Sequence, residues 1–218
     1  MRRMHRTLAA AGLGLLAALG LGQAALSNPW PRGPGQGFAM LSLSALRAPG
    51  APAGARASLL VDRGIGARAG VSFKLEGAGA GQPGRAVLEG RWHGARAGGH
   101  PHAIALALTQ TGGAPGLRAG LHAGRGMASG WLRASIEAEA RRGSAPVWTL
   151  DAQAGWKLRR AKLIMGVSAH HTGGRSTFTW LPQVVTPLGP GRHLALEYSL
   201  KTGASRGQGL SLSLWQKF

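Results

Sequence analysis

The dominant spacing of apolar and polar residues along this chain is two, not the 3.6 of a helix. Between Ile65 and Glu76 every odd position is apolar (Ile65, Ala67, Ala69, Val71, Phe73, Leu75), and the even positions are Gly, Arg, Gly, Ser, Lys and Glu. Side chains of a strand point alternately to its two faces, so one face sits in an apolar medium and the other in a polar one. Turn-forming residues cut the chain into about twelve such segments, near 36–46, 55–62, 65–76, 85–93, 102–110, 116–123, 127–140, 146–157, 161–171, 175–186, 192–201 and 208–218. Their lengths bracket the ~9–11 residues a tilted strand needs to cross a bilayer. An even number of strands closes an antiparallel ring with both ends of the chain on the same side.

Face assignment sharpens this picture. The apolar faces carry Leu59, Val61, Leu88, Trp92, Ile104, Leu106, Leu108, Leu132, Ile136, Trp148, Leu150, Met165, Val167, Phe178, Trp180, Leu196 and Tyr198. All seven carboxylates (Asp62, Glu76, Glu89, Glu137, Glu139, Asp151, Glu197) fall on the opposite face. So do thirteen bases: Arg56, Arg68, Lys74, Arg85, Arg91, Arg118, Arg133, Arg141, Lys157, Lys162, Arg175, Lys201 and Lys217. A charge at the middle of a lipid-facing surface costs ~2–4 kcal/mol, and the sequence places none there.

Alternation does not say which face is outward. A soluble barrel with an apolar pocket is the alternative. A ring of about twelve strands is too wide for its interior to be filled by small apolar side chains, which favours polar-in and lipid-out. Aromatic residues support the same choice, with Phe38, Trp92, Trp156 and Phe218 expected near one rim, as at a membrane interface. The fold expected is therefore all-β: a transmembrane antiparallel up-and-down β-barrel.

The N-terminus adds an export leader. Arg2, Arg3 and Arg6 precede the apolar run Leu8–Leu21, which is too short to span a bilayer, and Asn28-Pro29-Trp30-Pro31 would end any helix. We expect a signal peptide over 1–26, cut somewhere after Ala24 to Ser27, then a lead over 27–35 and the barrel over 36–218. The chain has 26 Lys and Arg against 7 Asp and Glu; without the three leader arginines, 23 bases face 7 acids, a net +16. Such an excess often marks nucleic-acid binding, but export and the spread of the bases along strands argue against nucleic acid. Cys is absent, which removes disulfide and thiolate chemistry.

The last strand ends Leu210, Leu212, Leu214 and Phe218, apolar at alternating positions up to an aromatic terminus, with Gln216 breaking the pattern. In this the chain resembles bacterial outer-membrane β-barrel proteins assembled through their C-terminal Phe. It is similar to small uncharacterised Gram-negative members. The resemblance implies that Leu210, Leu212, Leu214 and Phe218 form the signal read by the barrel-assembly machinery. It also implies an outer-membrane location, with membrane lipid and lipopolysaccharide as neighbours.

The expected lumen is basic, thirteen bases to seven acids, and would favour small anionic solutes as Arg and Lys rings do in anion pores. Its candidate lining is Arg56, Arg68, Lys74, Arg85, Arg91, Arg118, Arg133, Glu137, Glu139, Asp151, Lys157, Lys162, Arg175, Glu197 and Lys201. The competing expectation is that these charges pair across strands and block the path, Glu137 and Glu139 with Arg133 and Arg141 being obvious partners. The function expected is a passive small pore or transport-type barrel; the alternatives are a structural surface barrel with a blocked lumen and, less favoured, a lipid-A- or phospholipid-modifying enzyme. For the last, Ser168 and His170 share a face, but no carboxylate lies beside them in sequence. His100 and His102 lack the supporting ligands of a metal site. No cofactor motif is present, so no cofactor is expected.

Overall fold

A computed structural model describes residues 30–50, 53–77, 83–94 and 100–218. The leader 1–26, its cleavage region and the first residues of the lead lie outside the described residues. Twelve strands follow in order: β1 Gly37–Arg47, β2 Gly54–Gly64, β3 Ala69–Glu76, β4 Arg85–His93, β5 His102–Thr111, β6 Ala114–Met127, β7 Gly130–Arg141, β8 Val147–Lys157, β9 Lys162–Thr172, β10 Arg175–Gly189, β11 Arg192–Gly203 and β12 Gly207–Lys217. Each pairs antiparallel with its sequence neighbours, and β1 pairs with β12, Phe38 opposite Lys217 through Arg47 opposite Gln208, so the barrel closes. Closure leaves no open sheet edge.

The alternation resolves as lipid-out. Leu106 is 66% exposed and Trp92 70%, with Leu43, Ile104, Leu117, Leu150 and Leu210 on the same outer surface. Facing inward, Glu89 is wholly buried and Lys74 is 1% exposed. A water-soluble barrel would turn these faces the other way, so the soluble alternative is excluded by the packing.

Three expectations need correction. The third strand does not start at Ile65: Ile65 to Arg68 form the turn after β2, closed by Ile65 N–H to the Ala69 carbonyl (2.9 Å). The chain must reverse somewhere after Gly64, and alternation continues through the turn only by coincidence. Arg68 is therefore exposed in that turn and does not line the lumen. Phe38 faces inward against Trp215, with ring centroids 5.8 Å apart, so it is no part of an outer aromatic belt. β6 runs on to Met127, because Gly124 and Gly126 pair across to Arg133 and Trp131 rather than ending the strand.

The start of β1 and the C-terminal residue meet at the barrel's closing seam. Gly37 N–H donates to the Phe218 carbonyl (2.6 Å), and Phe218 N–H donates back to the Gly37 carbonyl (3.1 Å). The Phe218 ring covers Gly37 so closely that a Cβ there would overlap it.

Candidate functional site

Inside the barrel the two walls differ. The wall built by β2 to β7 carries ion pairs between residues two apart on one strand, on neighbouring strands, or up to three strands away across the lumen. The longest chain runs from the lead to mid-barrel. Arg32 Nε donates to Asp62 (2.6 Å), and Arg91 also holds Asp62 and reaches Glu89 (3.1 Å). Arg118 then bridges Glu89 (2.7 Å) and Glu137 (3.2 Å). Charges alternate in sign along it, three positive and three negative.

Two shorter clusters sit toward the end opposite the termini. Glu139 accepts from Arg85 (2.6 Å), Arg141 (2.7 Å) and the Thr109 hydroxyl (2.9 Å). Glu76 lies between Arg56 (2.9 Å) and Lys74 (2.5 Å). Each of these has two bases on one carboxylate. Glu139 thus takes Arg141, as anticipated, but Glu137 pairs with Arg118, and Arg133 lies 5.9 Å over the Trp131 ring.

The opposite wall, β9 to β12 with β1, is smoother. Across the closing seam Ser44 and Ser211 are 2.7 Å apart, and Ser213 donates to Ser42 (2.8 Å). Below them Ile164, Val185 and Ala195 form an apolar patch under Trp131 and Trp215. Between the two walls lies a cavity of about 520 Å³ that opens at the end carrying the termini. Its lining includes Lys157, Lys162, Arg133, Glu197, Lys217 and His193. Lys157 and Lys162 are register partners, and Lys162 feels the charges of both Lys157 and Lys217. No carboxylate among the described residues forms an ion pair with these three lysines.

The remaining expected lumen residues lie as follows. Arg56, Lys74, Arg85, Arg91, Arg118, Asp151 and Lys201 are buried inside; Arg175 sits exposed at the start of β10, on the rim opposite the termini. Sequence reasoning missed Trp30, Trp131, Trp215, His193 and Gln183 as cavity lining. Their signal was parity: Trp215 shares the face of Ser211 and Ser213, and Trp131 that of Arg133.

The lead reaches into this opening. Trp30 packs edge-on to Trp131, centroids 5.9 Å apart, and Arg32 lies 5.0 Å over the Phe38 ring. Gly64 accepts from Gly35 N–H (3.1 Å) and donates to the Gln36 carbonyl (3.0 Å), so the lead continues the hydrogen bonding of β2.

Ser168 and His170 do meet, Oγ to Nε2 at 3.2 Å, and the register sets Asp151 opposite Ser168, a neighbour invisible in the sequence. The second imidazole nitrogen is 3.1 Å from the Thr149 hydroxyl. A Ser-His nucleophile needs a carboxylate on the far side of the imidazole. Here that place is taken by Thr149.

No protein-family model and no curated protein sequence matches the chain. Solved structures do. A KdgM porin, solved in complex with disordered oligogalacturonate, has a TM-score of 0.67 at 9% identity, over 82% of this chain and 99% of that one. The NanC porin gives 0.66 at 7% identity, over 82% and 100%. The COG4313 outer membrane channel from Pseudomonas putida F1 gives 0.63 at 9% identity, over 91% and 100%. At such identities the likeness is one of fold, and the fold is that of outer-membrane porin-type barrels.

Proposed function

We propose that this chain forms a narrow channel in the outer membrane of a Gram-negative bacterium, with a preference for small anionic solutes. The reading rests on the fold together with the lysine cluster at the cavity mouth: Lys157, Lys162 and Lys217 gather where no carboxylate among the described residues forms an ion pair with them. The carboxylates of the ion-pair wall are all held by bases, so they do little to offset that positive field. Unneutralised bases along a pore entrance favour anions, as rings of Arg and Lys do in anion pores. With both termini on the periplasmic side, as in outer-membrane barrels generally, the cavity faces the periplasm and the lead lies across its mouth. Leu210, Leu212, Leu214 and Phe218 serve as the assembly signal, and Arg47 at the end of β1, with Arg142 and Arg206 in the turns at the same end, adjoin lipopolysaccharide.

A second reading, a structural barrel with a closed lumen, draws on the ion pairs that fill the wall from β2 to β7. Single-channel recording of the refolded protein in planar bilayers separates the two. The channel reading expects conductance whose reversal potential in a salt gradient is anion-biased, the bias falling when Lys157, Lys162 and Lys217 are changed to Gln. Folded protein without conductance would favour the closed barrel.

A further inference from the structure

We propose that the cavity beside the termini binds small organic anions that carry a flat or apolar body, of which an aromatic carboxylate is representative, in preference to compact hydrophilic anions. This names a solute class for the channel and so rests on that reading, but binding can be measured without transport.

The motivating anomaly is apolar surface on the wrong side of the alternation. Elsewhere the inward face is mostly charged or hydroxylated, with only aliphatic side chains such as Val87, Ala103, Ala105, Ala107 and Leu181 among them. Around this cavity an apolar strip is exposed to it: Trp131, Ile164, Trp215, Phe38 and Met40 line the space, backed by the buried Val185, Ala195 and Leu60. The strip faces a space of about 520 Å³, within the ~300–1,000 Å³ of small-molecule sites. Such sites are mainly apolar and aromatic with a few placed polar groups, and aromatic rings add edge and face contacts to a flat ligand.

The placed polar groups are at the mouth. Lys157, Lys162 and Lys217 stand at the strand ends that border the strip, with His193 at the start of β11 beside Trp215 in register. Among the described residues the cavity lining has one acidic side chain, Glu197, and Gln183 lies 3.4 Å from it. A carboxylate at the mouth would find three ammonium donors and leave its body against the strip. A compact hydrophilic anion uses only the lysines, and a neutral aromatic uses only the strip. An amphiphilic anion uses both.

Benzoate, acetate and benzyl alcohol test this by isothermal titration of the refolded protein in detergent, with heat-modifiable gel mobility confirming that every variant is folded. Benzoate is expected to bind about tenfold tighter than either acetate or benzyl alcohol, the margin of one charge-assisted contact or of one buried ring. The double variant Lys162→Gln/Lys217→Gln is expected to lose about tenfold for benzoate and nothing for benzyl alcohol. Trp215→Leu should weaken benzoate and leave acetate unchanged. Equal binding of benzoate and acetate, or a double lysine variant that binds benzoate as well as the parent, overturns the proposal. Benzoate binding with these dependences in protein that passes no current would sink the channel and leave the site. Anion-selective current without benzoate preference would sink the site and leave the channel.

Discussion

Glu89 is the keystone of the ion-pair wall, and removing its charge is the sharpest test of how the barrel is held. It is wholly buried, 2.7 Å from Arg118 and 3.1 Å from Arg91. Glu89→Gln keeps the shape, deletes the negative charge, and leaves the six-membered chain one positive charge in excess. Breaking a buried ion pair costs ~3–5 kcal/mol, because the partner is left uncompensated away from water. Here Arg91 keeps Asp62 and Arg118 keeps Glu137, so the lower end, about 3 kcal/mol, is expected. Adding Arg91→Gln restores neutrality and leaves two intact pairs, Arg32 with Asp62 and Arg118 with Glu137. The double variant should therefore regain about half the loss, a coupling that a double-mutant cycle isolates. Urea unfolding in detergent, followed by gel mobility and tryptophan emission, supplies the free energies. A single variant within ~0.5 kcal/mol of the parent would mean that lumen water screens these charges, and the paired wall would lose its structural role.

Three further outcomes follow from particular contacts. Leu106→Arg puts a charge near mid-strand on the outer face and should destabilise the barrel in lipid by ~2–4 kcal/mol, whereas Leu106→Phe should be near neutral; equal unfolding midpoints would contradict a lipid-facing surface. Gly64→Ala places a Cβ 2.5 Å from the Arg32 carbonyl oxygen, so the lead should detach and trypsin should cut at Arg32 faster while the barrel core stays resistant. Unchanged cleavage would mean the lead is not held at Gly64. Phe218→Ser should lower the amount of barrel in the outer membrane of expressing cells and leave detergent refolding intact. Equal loss in both would assign Phe218 to stability rather than to assembly.

Much of the fold was legible because a membrane barrel writes its architecture in period two. Lipid excludes charge from one face of every strand, and so all seven carboxylates could be placed inside from the sequence. What failed was local. Ile65 to Arg68 alternate like strand but turn, since four residues of turn carry no penalty for looking like sheet. Phe38 has a face that depends on parity within β1, where Phe38, Met40, Ser42 and Ser44 point inward together. An aromatic near a strand end is equally at home on either side. The site was less legible than the fold, because pairing partners depend on register. Asp62 lies two strands from Arg91, and Asp151 faces Ser168 across a hairpin. Neither distance is encoded along a single strand.

The distribution of charge, rather than its total, carries the consequence for permeation. The long chain from Arg32 to Glu137 is neutral in itself and occupies the wall from the cavity mouth to mid-barrel. The two clusters farther along, Arg56–Glu76–Lys74 and Arg85–Glu139–Arg141, each keep one positive charge in excess. The lysines at the other end add their own. On the channel reading, an anion in the lumen would meet an excess of bases toward both ends and, between them, serine hydroxyls along the seam and the paired charges of the β2 to β7 wall. A cation would meet the reverse, since among the described residues the side-chain carboxylates outside the ion pairs, Asp151 on β8 and Glu197 on β11, stand apart rather than in a ring. On the same reading, fixed charge at the entrances and a largely paired, hydrogen-bonding middle would let an ion enter without being trapped, because binding that is favourable at the mouth need not deepen along the path.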